Sequence, residues 1–117
     1  PWAHYIFGLL RNNAASTLCF TISDGTTATN ASCLTPELNL NIWYHLTLTY
    51  TAGHCKIYVN GVETKDYSTT IVPNFTGITT GIIGACNNGN NYQTNCLIND
   101  FRIYDHCLSA AEVREIS

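Results

Sequence analysis

The chain has 117 residues, 45% of them hydrophobic, with a net charge of −3 and only 11% charged side chains. That is enough polypeptide for one core, and its surface must be made polar by something other than charge. With no Lys/Arg cluster and no apolar run near ~18 residues, the sequence excludes a nucleic-acid footprint and a helical membrane span.

Thirteen asparagines and sixteen threonines together outnumber the charged residues. Thr favours strands and Asn favours turns, so the composition predicts an all-β protein with a neutral, hydrogen-bonding skin. The start at Pro1, running at once into Tyr5-Ile6-Phe7, is read as an excised piece of a longer chain, and no signal peptide is recognised.

In chain order, Tyr5 to Leu10 is a nearly continuous apolar run, read as a strand. Leu18, Phe20 and Ile22 alternate with Cys19, Thr21 and Ser23, and Asp24-Gly25 ends that strand in a turn. Residues 42–50 place Tyr44, Leu46, Leu48 and Tyr50 on one face and Trp43, His45, Thr47 and Thr49 on the other. That spacing predicts a strand with one face in a core. After Thr51-Ala52-Gly53 the alternation resumes through Cys55, Ile57 and Val59. Asn60-Gly61 then supplies the two positive-φ residues of a tight hairpin, and Val62 to Tyr67 should return as the paired strand. Ile82-Ile83, between Gly81 and Gly84, reads as a short strand. Residues 96–104 alternate again, with Leu97, Phe101 and Ile103 together.

One helix is expected, at the end of the chain. Ser109-Ala110-Ala111-Glu112 has the spacing of a capping box, with Leu108 and Val113 placed as a hydrophobic staple. At about two turns it cannot hold alone, so Val113 and Ile116 must dock it on the sheet. Many short strands and one peripheral helix predict an antiparallel β-sandwich or jelly roll as a single domain over residues 1–117.

The six cysteines lack any C-x-x-C and show no metal-ligand spacing. Two arrangements stay open. One is buried free thiols, favoured for Cys55 and Cys107 by their apolar surroundings in sequence. The other is up to three disulfides, with Cys19–Cys33 and Cys86–Cys96 able to bridge hairpins.

Two stretches carry a family resemblance. Ile42-Trp43-Tyr44-His45-Leu46-Thr47-Leu48-Thr49-Tyr50, followed by Lys56-Ile57-Tyr58-Val59-Asn60-Gly61, resembles the "W-x-H-hydrophobic … Y-V-N-G" signature of laminin G-like domains, within the concanavalin A-like lectin/glucanase superfamily. Ile98-Asn99-Asp100-Phe101-Arg102-Ile103-Tyr104-Asp105-His106-Cys107-Leu108-Ser109 resembles that family's closing strand and helix. Its spelling is also similar to minor tail and structural proteins of phages and prophages. The resemblance covers roughly residues 40 to 116. It implies two packed antiparallel sheets, a domain lacking its opening strands, and a non-catalytic module of a virion, secreted or cell-surface protein that binds glycans or protein partners.

Glucanases of this superfamily carry carboxylates at E-x-D-x-x-E spacing, and no such triplet occurs here. Glu63 and Asp66, three apart, should face opposite sides of a regular strand. No catalytic residue is therefore expected, and no cofactor. The resemblance raises calcium, resting on Asp100 plus loop carbonyls, although Asn99 stands where the family often has Asp. His45 is expected to pack and hydrogen-bond rather than to react. Sugars are held by aromatic faces and neutral hydrogen-bonding groups. Tyr92 with Asn88, Asn90, Asn91 and Gln93 in the 87–95 loop has that chemistry, as does Trp43 if its face is open. The expected function is recognition of a glycan or host surface receptor. The rivals are a structural spacer packed against neighbouring domains and an accessory domain of a carbohydrate-active enzyme. Neither nucleic acid nor membrane insertion is expected.

Overall fold

Five strands and one helix make up the computed structural model, which describes residues 7–11, 16–27, 33–79, 81, 83 and 95–117. β1 (Phe7–Arg11) pairs antiparallel with β2 (Leu18–Ile22), Phe7 opposite Ile22. Residues 33–35 lie along the other side of β2. The Phe20 amide donates to the Cys33 carbonyl at 2.8 Å and the Thr35 amide to the Leu18 carbonyl at 2.9 Å. β2 is thus hydrogen-bonded on both edges, as a strand inside a layer must be.

The second layer is a meander of β3 (Leu46–Thr51), β4 (His54–Val59) and β5 (Val62–Ser68). The Asn60-Gly61 hairpin forms as its residue types dictate, with φ of 51° and 80°. Leu48 and Tyr50 of β3, Cys55 and Ile57 of β4 and Tyr67 of β5 share one face. That face packs on Phe20, Ile22 and Cys33 of the first layer. The all-β antiparallel expectation holds, and the core lies between the two layers.

On the opposite face of β3, Thr47 and Thr49 are buried as well. Tyr58, the cross-strand partner of Thr47, carries the helix on that side. α1 (Ala110–Ile116) begins in a complete capping box: the Glu112 amide donates to Ser109 Oγ and the Ser109 amide donates to Glu112 Oε2 at 2.7 Å. Leu108 and Val113 close on Tyr58, with Ile116 beside them. The helix end lies over the hairpin, so a Cβ on Gly61 would run into Ser117 and approach the Arg114 backbone. Gly61 is required there twice, by its φ and by this contact.

Four expectations need correction. Strand β3 begins at Leu46, not 42; residues 42–45 carry no ladder, and Ile42 and Trp43 are exposed. Residues 96–104 form no strand: Asp100 takes φ 56°, which breaks the alternation, and Leu97, Phe101 and Ile103 are exposed. Ile83 lies outside any strand, and Ile82 lies outside the described residues. Cys107 is exposed because its neighbour Leu108 takes the inward position against Tyr58.

Cys33 and Cys55 are buried free thiols, Cys19 is buried and forms no disulfide, and Cys96 is a free thiol on the surface. Burial pushes the Cys33 thiol up to about 11 and the Cys55 thiol up to about 12. Inert thiols of this kind act as small core side chains. The proposed Cys19–Cys33 bridge is therefore absent, while Cys86 lies outside the described residues.

Candidate ligand-binding surface

The two ends of the three-stranded sheet present different chemistry. At the hairpin end, His45 and Asn60 clamp the entry to β3. The Asn60 amide donates to the His45 carbonyl at 2.8 Å, and the His45 amide donates to Asn60 Oδ1 at 2.9 Å. The Tyr44 hydroxyl accepts from the Asn39 amide at 3.0 Å, and Asn41 turns the chain with φ 60°. Between these fixed points Trp43 stands 65% exposed, with Leu40 and Ile42 also open to solvent. A Trp held on an anchored backbone and left in water offers an aromatic face for stacking. His45 joins this clamp through its backbone amide and carbonyl. Its ring Nδ1 is buried with no protein partner among the described residues.

Tyr92, Asn88, Asn90, Asn91 and Gln93 lie outside the described residues. Trp43 is thus the one sequence-derived contact residue that the structure places.

The outer face of the sheet holds a charge cluster that strand parity hides. A bulge between Ile57 and Tyr58 of β4 and the facing stretch of β5 leaves Thr64 unpaired, its hydroxyl donating to the Ile57 carbonyl at 3.3 Å. The extra residue puts Glu63 and Asp66 on the same face, contrary to the expectation from their spacing. Lys56 Nζ reaches Glu63 Oε1 at 2.8 Å and Asp66 Oδ2 at 3.9 Å. The hydrogen bond to Glu63 holds the Lys56 ammonium above its ordinary range. Asp66 also takes His54 Nδ1 at 2.8 Å. Both carboxylates are therefore committed to cations.

Asp100 does not stand as a calcium ligand. Arg102 Nε and Nη2 donate to its two carboxylate oxygens, each at 2.8 Å. Among the described residues no three His, Cys, Asp or Glu side chains are arranged to hold a metal ion, and calcium needs about six oxygens. The described residues around Asp100 do not fit that ion.

At the opposite end of the sheet, where the β3–β4 turn meets the exit of β5, an open groove of ≈ 590 Å³ is lined by Thr27, His54, Tyr67, Thr69, Thr70 and Ile71 among others. Sequence reasoning missed it. Thr27 is brought there from the turn after β2, and no local spacing marks a site shared by two layers.

The comparisons with known proteins agree with this architecture. A family model described as the Concanavalin A-like lectin/glucanases superfamily, of the Laminin_G_3 type, matches residues 3–114. No curated protein matches the chain. A crystal structure of an S-layer domain-containing protein (residues 221–444) from Clostridium thermocellum ATCC 27405 superposes with a TM-score of 0.62 at 20% identity, covering 96% of this chain. The chain spans 64% of that structure's length, and at this identity the likeness is one of fold. The matched family model, the two antiparallel layers and the capped terminal helix together place this chain in the concanavalin A-like lectin/glucanase superfamily, as a domain of the laminin G type.

Proposed function

We propose that the protein is a non-catalytic carbohydrate- or receptor-binding module of a phage tail or other bacterial surface-directed protein, acting on the virion or outside the cell. The observation that carries the reading is Trp43, an indole 65% exposed on a backbone anchored by the His45–Asn60 clamp. An aromatic platform set among amides and hydroxyls recognises a pyranose ring by stacking and by neutral hydrogen bonds. The 87–95 loop, with Tyr92, Asn88, Asn90, Asn91 and Gln93, supplies further groups of the same chemistry. No cofactor is required, and the pairing of Glu63 and Asp66 with Lys56 and His54 supports a role without hydrolysis.

A glycan array probed with the protein, Trp43→Ala and Tyr92→Ala tests the reading. Each substitution should remove the array signal of the glycans held at this surface while leaving the circular-dichroism spectrum unchanged. Signals equal to the parent's in both variants would remove this surface from the account.

A second reading, a structural spacer that packs against neighbouring domains of a larger chain or assembly, is favoured by the apolar side chains left in water. Leu40, Leu97 and Ile103 are each at least 80% exposed. A spacer gives no array signal, and those side chains become protected from solvent in the assembled particle.

A further inference from the structure

We propose that the groove at the β3–β4 turn is a second binding site, taking a neutral saccharide unit. It shares its ligand class with the preceding reading but none of its residues. The groove's volume of ≈ 590 Å³ falls within the range of about 300–1,000 Å³ usual for small-molecule sites.

Its walls divide into two kinds. Tyr67 and Ile71 give an aromatic and an aliphatic surface, both packed against the core and so held in place. Thr27, Ser68, Thr69 and Thr70 give hydroxyls. Lining an open groove, these hydroxyls can both donate to and accept from a ligand.

The frame behind these groups is already ordered. The Thr69 amide donates to the Gly53 carbonyl at 2.9 Å, pinning the exit of β5 to the β3–β4 turn. The Ile71 amide donates to Thr69 Oγ1 at 3.1 Å, and the Tyr50 hydroxyl donates to the Ile71 carbonyl at 3.2 Å. The Asn74 amide reaches across to the Ser23 carbonyl of the first layer at 3.4 Å. A site whose backbone is fixed before the ligand arrives loses less conformational freedom on binding.

Charge selects among polar ligands. Among the described residues no Lys or Arg lines the groove. Lys56, on the neighbouring outer face, is engaged by Glu63 and Asp66. His54 lines the groove with Nδ1 on the Asp66 carboxylate. An ionised carboxylate only accepts, so Nδ1 donates to it and Nε2 is left as the ring nitrogen for a ligand hydroxyl. A polyol satisfies these groups, whereas a uronate or phosphate would lie near the Asp66 carboxylate.

The test is a ¹⁵N–¹H correlation titration of the whole chain with neutral mono- and disaccharides of gluco, galacto and manno configuration, added one at a time. At least one should move the amides of Gly53, His54, Ser68, Thr69 and Thr70 saturably. Ser68→Arg and Thr70→Arg, both at exposed positions, should raise Kd at least tenfold with spectral dispersion retained. The matching uronic acid should bind at least tenfold more weakly. Shifts confined to the surroundings of Trp43 would overturn this site and leave the preceding reading standing. Tighter binding of the uronate would overturn the neutral ligand class. No response of any amide to any sugar, joined to a silent array, would remove both.

Discussion

Phe20 and Ile22 are two apart in sequence, and so are Phe101 and Ile103. The first pair is fully buried between the layers; the second lies in solvent. Residue type and spacing are identical, so the difference comes from what surrounds each segment. β2 has β1 on one edge and residues 33–35 on the other, and its side chains meet Cys55 and Ile57 across the core. Residues 97–104 have no ladder partner among the described residues, and Asp100, at φ 56°, turns its carboxylate back on Arg102. Alternation proposes a strand, and a hydrogen-bonding neighbour makes one.

The comparison can be broken most directly at its buried member. Phe20→Ala should cost about 3–5 kcal/mol, the usual loss for a buried aromatic, in urea unfolding. A loss below about 1 kcal/mol would mean that the two layers do not close over Phe20.

Gly61→Ala tests a buried backbone position in the same way. A positive φ and the contact with Ser117 predict a loss of about 2 kcal/mol by the same measurement. A neutral result would show that the helix end does not rest on the hairpin.

Ser109→Ala removes the N-cap and should cost about 1 kcal/mol. The same cap has a pH signature. The backbone hydrogen bond from Ser109 holds the Glu112 carboxyl below its ordinary value of 4.5. A carboxyl depressed in the folded state contributes stability above its unfolded pKa and loses it as pH falls through the folded one. The Tm difference between the parent and Glu112→Gln should therefore be present at pH 7 and shrink on acidification below 4.5. A pH-independent difference would assign it to something other than this charge.

The smallest effect belongs to the exposed member of the pair. Phe101→Ser and Ile103→Ser should each change stability by less than about 0.5 kcal/mol in the isolated chain. A loss comparable to that of Phe20→Ala would show that residues 97–104 are packed in solution.

Much of the meander was legible in the sequence because its signals are local. Asn60-Gly61 fixes a hairpin through the φ values it permits, and Ser109 with Glu112 fixes a helix start through two reciprocal hydrogen bonds. The candidate site was less legible. Trp43 was identified by residue type, and its exposure followed only when β3 proved to begin at Leu46. The groove joins Thr27 to residues 26 to 44 positions away, and Glu63 meets Asp66 through a bulge that no spacing announces.

The sequence by itself determined where the turns fall, where the helix is capped and which apolar side chains alternate, because each follows from the torsions and hydrogen bonds of a few adjacent residues. Only the tertiary structure decided which alternating segment is buried, which face of β5 carries its carboxylates and where an open groove lies. Those outcomes depend on hydrogen-bond partners and covering side chains contributed by distant parts of the chain.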